Sequence, residues 1–211
     1  MKVIPSKTQN IYRIGDIFYC PNANNIKRSI ENIINKEEYK DTIVYDYLIR
    51  KKKEQDYDTL KDVVYEHIKN KNYVIPNDDE LVIHMRLGDS VDASQTSLPP
   101  EWYMDNKIIY EGLRKIEVEK YNIKKVTIIT VFYYPWPKTR KNMKYTKKIS
   151  YEKYEVVKNF FEKMNIPVKT FSRTVDEDFC YLVSSKYFLP TVGGFSRLAY
   201  ELCDGKKFKL I

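Results

Sequence analysis

The chain has 211 residues, which is enough for one large domain or two small ones. Hydrophobic residues make up 43% of the chain and charged residues 31%, a balance that excludes a disordered tail, a collagen-like fibre and a low-complexity linker. The net charge of +8 favours anionic partners, among which nucleotides, phosphorylated sugars and nucleic acids all qualify.

The cysteines and the apolar runs indicate a cellular compartment. Cys20, Cys180 and Cys203 are widely spaced and form no CxxC pair, so neither a disulfide framework nor a zinc site is indicated. No apolar run approaches the roughly 18–20 residues that span a bilayer, and the first residues contain no signal-peptide core. We therefore expect a soluble, cytoplasmic protein with no signal peptide or membrane anchor.

The first 79 residues differ in pattern from the rest of the chain. Apolar residues at helical spacing predict helices over 25–35 and 59–69. Between these helices, TIVYDYLI (42–49) is ambiguous between strand and helix, and the charged run at 50–56 is typical of a solvated surface. This N-terminal region is expected to form a unit of its own.

From residue 80 onward, short apolar runs alternate with amphipathic stretches, as in a parallel sheet covered by helices. The predicted strands cover 81–85, 126–132, 168–171 and 187–190. The predicted helices cover 101–121, 151–164, 176–186 and 195–203, and a surface loop is expected over the basic, proline-containing segment 133–148. This order predicts an α/β, Rossmann-like half-domain over 80–211.

The sequence HMRLGD (84–89) leaves the first of these strands. Ligands of open α/β sheets bind at the carboxyl ends of strands, which makes this polar cluster a candidate site. Arg86 offers a planar, permanently charged fork that suits phosphate oxygens, and Gly88 permits a sharp turn. Asp89 is placed to hydrogen-bond the loop or to orient Arg86, and His84 lies at the strand end.

A second candidate is TVGGFSR (191–197), where a strand end and two glycines precede a helix. Free N–H groups at a helix N-terminus attract anions, and Gly193 and Gly194 would allow a close approach. Ser196 and Arg197 would add donors. Two strand ends suited to anions predict a diphosphate held between Arg86 and this helix.

Four segments in this order resemble blocks of the α1,6-fucosyltransferases and of the wider α1,2/α1,6/protein O-fucosyltransferase group. HMRLGD (84–89) is similar to the His-x-Arg-Arg-x-Asp block, and PPEWYM (99–104) resembles the Pro-x-Glu-x-Tyr-Met stretch that follows it. DFCYL (178–182) is similar to an Asp-x-x-Phe-Leu stretch, and RLAYE (197–201) resembles the third block, with Gly-Gly in place of Ser-Ser. The resemblance covers about residues 81–203.

This resemblance implies a glycosyltransferase of GT-B-like fold, which inverts the anomeric carbon and needs no metal or other cofactor. Residues 80–211 would form the Rossmann-type donor half with its parallel sheet, and residues 1–79 a reduced acceptor half, also of α/β type. The donor would be a GDP-sugar, with GDP-fucose the first choice, and the acceptor a glycan or another hydroxyl compound.

The resemblance also assigns roles to residues. Arg86 would hold the β-phosphate and stabilise the charge that develops on the departing GDP. Asp178, Gly194, Phe195 and Ser196 would lie around the nucleotide, with His84 nearby as a packing or hydrogen-bonding residue. The donor-binding set predicted from the two motifs and the resemblance is His84, Arg86, Gly88, Asp89, Asp178, Gly193, Gly194, Phe195, Ser196 and Arg197.

Two positions depart from the family pattern. The second arginine of the first block is Leu87 here, and Ser94 stands where the α1,6 enzymes have a glutamate. An inverting transfer needs a carboxylate within reach of the acceptor hydroxyl, and Asp92 and Glu101 are the candidates. Asp92 is favoured because it lies on the predicted loop. Glu101 is expected in the first turn of a helix, where the helix dipole stabilises a negative charge, so its presence there has a structural explanation. The predicted catalytic residues are Arg86, Asp92 and Glu101.

Two other functions remain open at this point. Leu87 and Ser94 are compatible with a nucleotide- or sugar-binding module that has lost catalysis. The basic segment 138–148, with Trp136 and Tyr145, has the composition of a single-strand nucleic-acid surface. No nucleic-acid-binding motif accompanies that segment, so no nucleic-acid partner is expected.

Overall fold

A computed structural model describes the fold over most of the chain. The described residues are 14–19, 24–87, 106–131, 143–191 and 193–208. Four of the predicted site residues lie outside these ranges: Gly88, Asp89, Asp92 and Glu101. The proposed choice between Asp92 and Glu101 as the base therefore stays a prediction.

The described residues form one five-stranded parallel sheet. Its strands are β1 (Glu80–Arg86), β2 (Lys125–Val131), β3 (Val168–Phe171), β4 (Tyr187–Leu189) and β5 (Lys206–Lys207), in the order β3-β2-β1-β4-β5. The predicted α/β class and the four predicted strands are confirmed. The sequence pattern did not predict β5, because a strand of two residues is too short to show a period.

Eight α-helices lie in the described ranges. They are α1 (Ile14–Tyr19), α2 (Asn24–Asn35), α3 (Ile43–Arg50), α4 (Tyr57–Lys71), α5 (Asn106–Arg114), α6 (Met143–Glu162), α7 (Val175–Val183) and α8 (Gly194–Leu202). The ambiguous segment 42–49 is therefore mostly helical. Thr42 accounts for the start of α3, because its hydroxyl accepts a hydrogen bond from the Tyr45 N–H at 3.2 Å.

Two predicted boundaries were wrong. Helix α6 begins at Met143, so the end of the predicted loop 133–148 is helical. Lysine is a good helix former, and Lys148 pairs with Glu152 one turn later at 3.7 Å, so the dense basic run did not break the helix. The helix predicted to reach residue 121 ends at Arg114, where the N–H of Ile116 bonds the Leu113 carbonyl at 3.0 Å and tightens the chain into a turn.

The alternation of side chains along β1 divides the core into two layers. Leu81, Ile83 and Met85 face α5 and α6, whereas Val82 faces the layer that contains α7 and α8. Buried residues of α1, α3 and α4 belong to the same cluster as Val82. The described residues before β1 contain helices and no strand, and they share one core with residues 80–211.

The strand order places a crevice beside β1. The chain passes from β1 to β2 and β3 on one side, and then crosses to β4 and β5 on the other. Open α/β sheets bind ligands at such a reversal, outside the carboxyl ends of the two central strands. Here these ends are Arg86 on β1 and the residues that follow Leu189 on β4.

Candidate anion-binding site

Two hydrogen bonds join β1, the end of β4 and the first turn of α8. The Arg86 N–H donates to Thr191 Oγ1 at 2.9 Å, and the Thr191 N–H donates to Ser196 Oγ at 3.1 Å. Ser196 is fully buried, so its hydroxyl is fixed in this position. These bonds hold the two predicted motifs together at the crevice.

The Arg86 side chain lies directly against Gly193. A Cβ added to Gly193 would lie 2.5 Å from Arg86 Nη1 and 3.0 Å from Arg86 Cδ, so the guanidinium would have to shift to make room for it. Gly193 also has φ 101° and ψ 157°, a region that only glycine adopts without strain. Because Gly193 has no side chain, the Arg86 guanidinium can lie against the backbone that precedes α8.

The start of α8 supplies backbone donors beside this cation. The first bond of the helix runs from the Arg197 N–H to the Gly193 carbonyl at 3.0 Å. The N–H groups of Gly194, Phe195 and Ser196 precede it and have no acceptor within the helix. The positive end of the helix dipole and the Arg86 guanidinium therefore favour negative charge at the same place.

Helix α1 covers part of this helix start. A Cβ on Gly15 would lie 2.6 Å from the Phe195 nitrogen, and one on Gly194 would lie 3.3 Å from the Gly15 carbonyl oxygen. The two helices therefore meet backbone to backbone. A ligand of the α8 N-terminus must approach from the side of Arg86.

Aromatic packing forms the wall below Arg86. The His84 and Phe195 rings have centroids 5.4 Å apart, and Phe195 lies 5.1 Å from Phe179 of α7. Offset and tilted ring pairs of this kind stabilise by about 0.5–1.5 kcal/mol each. His84 thus packs against the first turn of α8.

Asp178 lies in the first turn of α7, at the carboxyl end of β3. Its carboxylate accepts the Arg173 N–H at 3.1 and 3.2 Å, and Arg173 Nε lies 3.6 Å from Oδ1. Burial raises the pKa of Asp178 to about 6, against the opposing effect of these Arg173 contacts. Phe179, the next residue, carries the contact to Phe195, so Asp178 lies along the same edge as the crevice.

Replacing Asp178 with Asn should change how stability depends on pH. Because the pKa of the folded state lies above the ordinary value, the native protein binds more protons between about pH 4 and 6, and its stability falls as pH rises through that window. Lowering the pH from 7 to 5 should therefore stabilise the native protein by roughly 1 kcal/mol relative to Asp178→Asn. Urea unfolding at the two pH values measures this difference, and a pH-independent difference would contradict it.

Replacing Ser196 with Ala should loosen the connection between β4 and α8. The Thr191 N–H would lose its acceptor, and we expect a loss of about 1–2 kcal/mol in the free energy of unfolding. Ser184→Ala is the matched control. The Ser184 hydroxyl donates to the Cys180 carbonyl, which also accepts the Ser184 N–H, so removing this hydroxyl leaves that carbonyl with a partner. Equal losses in the two variants, measured by urea unfolding, would count against a special role for Ser196.

The structure separates Arg197 from the other predicted donor-binding residues. Its side chain is exposed, and its Cζ lies 4.8 Å from the ring centroid of Tyr19 on α1. Leu87, the next residue after Arg86, is only 3% exposed and belongs to the core on the α5 and α6 side. The site therefore depends on one strand-end arginine.

The structure adds two residues that the sequence did not single out. Arg173 neutralises Asp178, and Gly15 permits the contact of α1 with α8. The Arg173 guanidinium also lies 4.4 Å from the Phe171 ring and 4.6 Å from the Tyr181 ring. Thr191 belongs to the second predicted motif, and the structure shows that it connects the two motifs.

Searches of protein-family models, curated proteins and solved structures find no match for this chain. Within the described ranges, no three His, Cys, Asp or Glu residues are grouped closely enough to hold a metal ion. None of the described helices has the length and apolar character of a membrane-spanning segment.

Proposed function

We propose that this chain is a glycosyltransferase that resembles the fucosyltransferases. It transfers a sugar from a GDP-sugar to a glycan or other hydroxyl acceptor, and fucose is the first choice of sugar. The observation that supports this proposal is the contact of the Arg86 guanidinium with Gly193 at the start of α8. A permanent cation and a helix N-terminus therefore lie side by side, and together they can bind the two phosphates of one diphosphate.

In this proposal the donor diphosphate lies between Arg86 and the first turn of α8, at the crevice beside β1. The acceptor oxygen attacks the anomeric carbon, the bond from that carbon to the β-phosphate oxygen breaks, and GDP leaves with the bonding electrons. The acceptor proton passes to the carboxylate of Asp92 or Glu101. Arg86 stabilises the charge on the departing GDP, an effect worth several kcal/mol when the cation is held in place.

The burial of Leu87 favours a second candidate, a GDP-sugar-binding module without transfer. Leu87 packs in the core on the opposite face of the sheet, so the paired cation of the family block is replaced by a packing residue. A single arginine would still bind a diphosphate, while the stabilisation of a departing GDP would be weaker.

Thermal unfolding with a panel of ligands tests both candidates. A ligand at 100 times its dissociation constant stabilises by about 2.7 kcal/mol, which raises the Tm of a chain of this size by roughly 5–10 °C. We expect this rise with GDP and GDP-fucose and a smaller one with UDP. The absence of any rise with nucleoside diphosphates would contradict both candidates.

Hydrolysis of the donor separates the two candidates. A transferase releases GDP slowly from GDP-fucose in the absence of acceptor, whereas a binding module does not. Persistence of full turnover in Asp92→Asn would exclude Asp92 as the base, and the same measurement on Glu101→Gln tests the alternative.

A further inference from the structure

A cavity lies on the opposite edge of the sheet, where the strands begin. Its volume is about 280 Å³, and its walls come from the end of α5, the turns that precede β2, and β5. None of its lining residues belongs to β1, to the end of β4 or to the start of α8, where Arg86 and the first candidate site lie. This cavity is therefore separate from the candidate diphosphate site.

Aromatic rings form one side of this cavity. Tyr121 and Phe208 both line it, with ring centroids 5.4 Å apart, and Tyr187 lies 5.6 Å from Tyr121 behind them. Phe208 and Tyr187 are buried, with 8% and 9% of their surface exposed, whereas Tyr121 is only half-buried. The ring of Tyr121 is thus held rigidly while part of it faces the solvent.

Positive charge surrounds this ring. Lys120 Nζ and Lys206 Nζ lie 5.5 and 5.9 Å from the Tyr121 ring centroid, and Lys115 lines the cavity as well. Glu117 neutralises Lys120 at 2.6 Å. In the part of the chain that the structure describes, Lys115 and Lys206 form no ion pair, and Glu117, which also lines the cavity, is paired with Lys120.

The edge strand β5 fixes one wall of the cavity. The Lys206 N–H donates to the Lys186 carbonyl at 2.7 Å, and the Phe208 N–H donates to the Phe188 carbonyl at 2.8 Å. Lys206, Lys207 and Phe208 line the cavity, so these two bonds to β4 hold that wall in place.

We propose that this cavity binds a nucleoside monophosphate, with its phosphate near Lys115 and Lys206 and its base against Tyr121. Phosphate requires cations, a base requires an aromatic surface, and both lie around the same space. The volume lies just below the roughly 300–1,000 Å³ of small-molecule sites, which suits a mononucleotide better than a nucleotide sugar. The site is therefore distinct in ligand class from the proposed donor site.

Isothermal titration of the full chain with AMP and GMP tests this proposal. We expect the mononucleotides to bind at least tenfold more tightly than inorganic phosphate or adenosine alone. The double variant Lys115→Gln/Lys206→Gln should weaken mononucleotide binding at least tenfold. Lys163→Gln, which removes an exposed lysine from the turn after α6, is the matched control and should not change the affinity.

Localisation separates this site from the crevice beside β1. Photo-crosslinking with 8-azido-AMP should label peptides around Tyr121 or Phe208, and Arg86→Ala should leave this labelling unchanged. Thermal unfolding of the double variant without ligand verifies that it folds. Absence of mononucleotide binding, undiminished binding by the folded double variant, or labelling only near Arg86 would overturn the proposal. A ten-nucleotide single strand that binds tenfold more tightly than AMP would overturn it in favour of a nucleic-acid surface.

Discussion

Replacing Arg86 with Ala should lower the affinity for GDP by about 100-fold and remove the thermal stabilisation that GDP gives. Loss of charge-assisted hydrogen bonds to a diphosphate costs about 1.5–3 kcal/mol each, and 2.7 kcal/mol corresponds to 100-fold at 25 °C. The backbone N–H of residue 86 and its bond to Thr191 do not depend on the side chain, so the fold should survive. Titration calorimetry with GDP measures the loss directly.

Two further variants sharpen this prediction. Arg86→Lys keeps the charge but loses the planar fork, so its affinity should lie between those of the native protein and Arg86→Ala. Arg114→Ala removes an exposed arginine at the end of α5 and should bind GDP like the native protein. If Arg114→Ala weakened binding as much as Arg86→Ala, the effect would come from net charge and not from a site at the crevice.

Replacing Gly193 with Ala should both destabilise the fold and weaken GDP binding. The backbone at this position has φ 101° and ψ 157°, which costs a residue with a Cβ of order 1–3 kcal/mol. The added Cβ would also displace the Arg86 guanidinium from the start of α8. We expect the Tm to fall by roughly 4–8 °C for a loss of 2 kcal/mol, and the affinity for GDP to fall at least tenfold.

A double-mutant cycle with Arg86→Ala separates these two effects. The three nearest atoms to the added Cβ all belong to Arg86, so truncating Arg86 removes the close contact and leaves only the backbone strain. Gly193→Ala should therefore cost less stability in the Arg86→Ala background than in the native protein. Equal costs in both backgrounds would show that Arg86 does not lie against Gly193 in solution.

The strands of this fold were predictable because each is a short apolar run between turn signals. The run at 126–132 corresponds to β2 within one residue at either end, and 168–171 corresponds to β3 without change. The errors arose where local signals compete with packing. The basic run before residue 148 has the composition of a loop, yet its last residues continue into a 20-residue helix whose Val157 and Phe161 are buried against the sheet.

The candidate site was predictable to the extent that it depends on residue type and strand position. Arg86 and Gly193 were identified from the sequence because they follow two strands that end at the same edge of the sheet. The orientation of Arg197 toward Tyr19 was not predictable, because it depends on where α1 packs, and a six-residue helix has no clear periodicity. The hydrogen bond from Thr191 to Ser196 likewise depends on the angle at which α8 leaves the sheet.

The contact between Gly15 and Gly194 makes the N-terminal helix a part of the proposed binding machinery without supplying a polar group to it. The helix is attached by the buried side chains of Ile14, Ile17 and Phe18, while its backbone lies against the first turn of α8. Loss or misplacement of α1 would uncover the donors of that turn to water and release the aromatic support of Arg197. Ligand affinity and stability would then fall together, because the same helix fills the core and covers the start of α8.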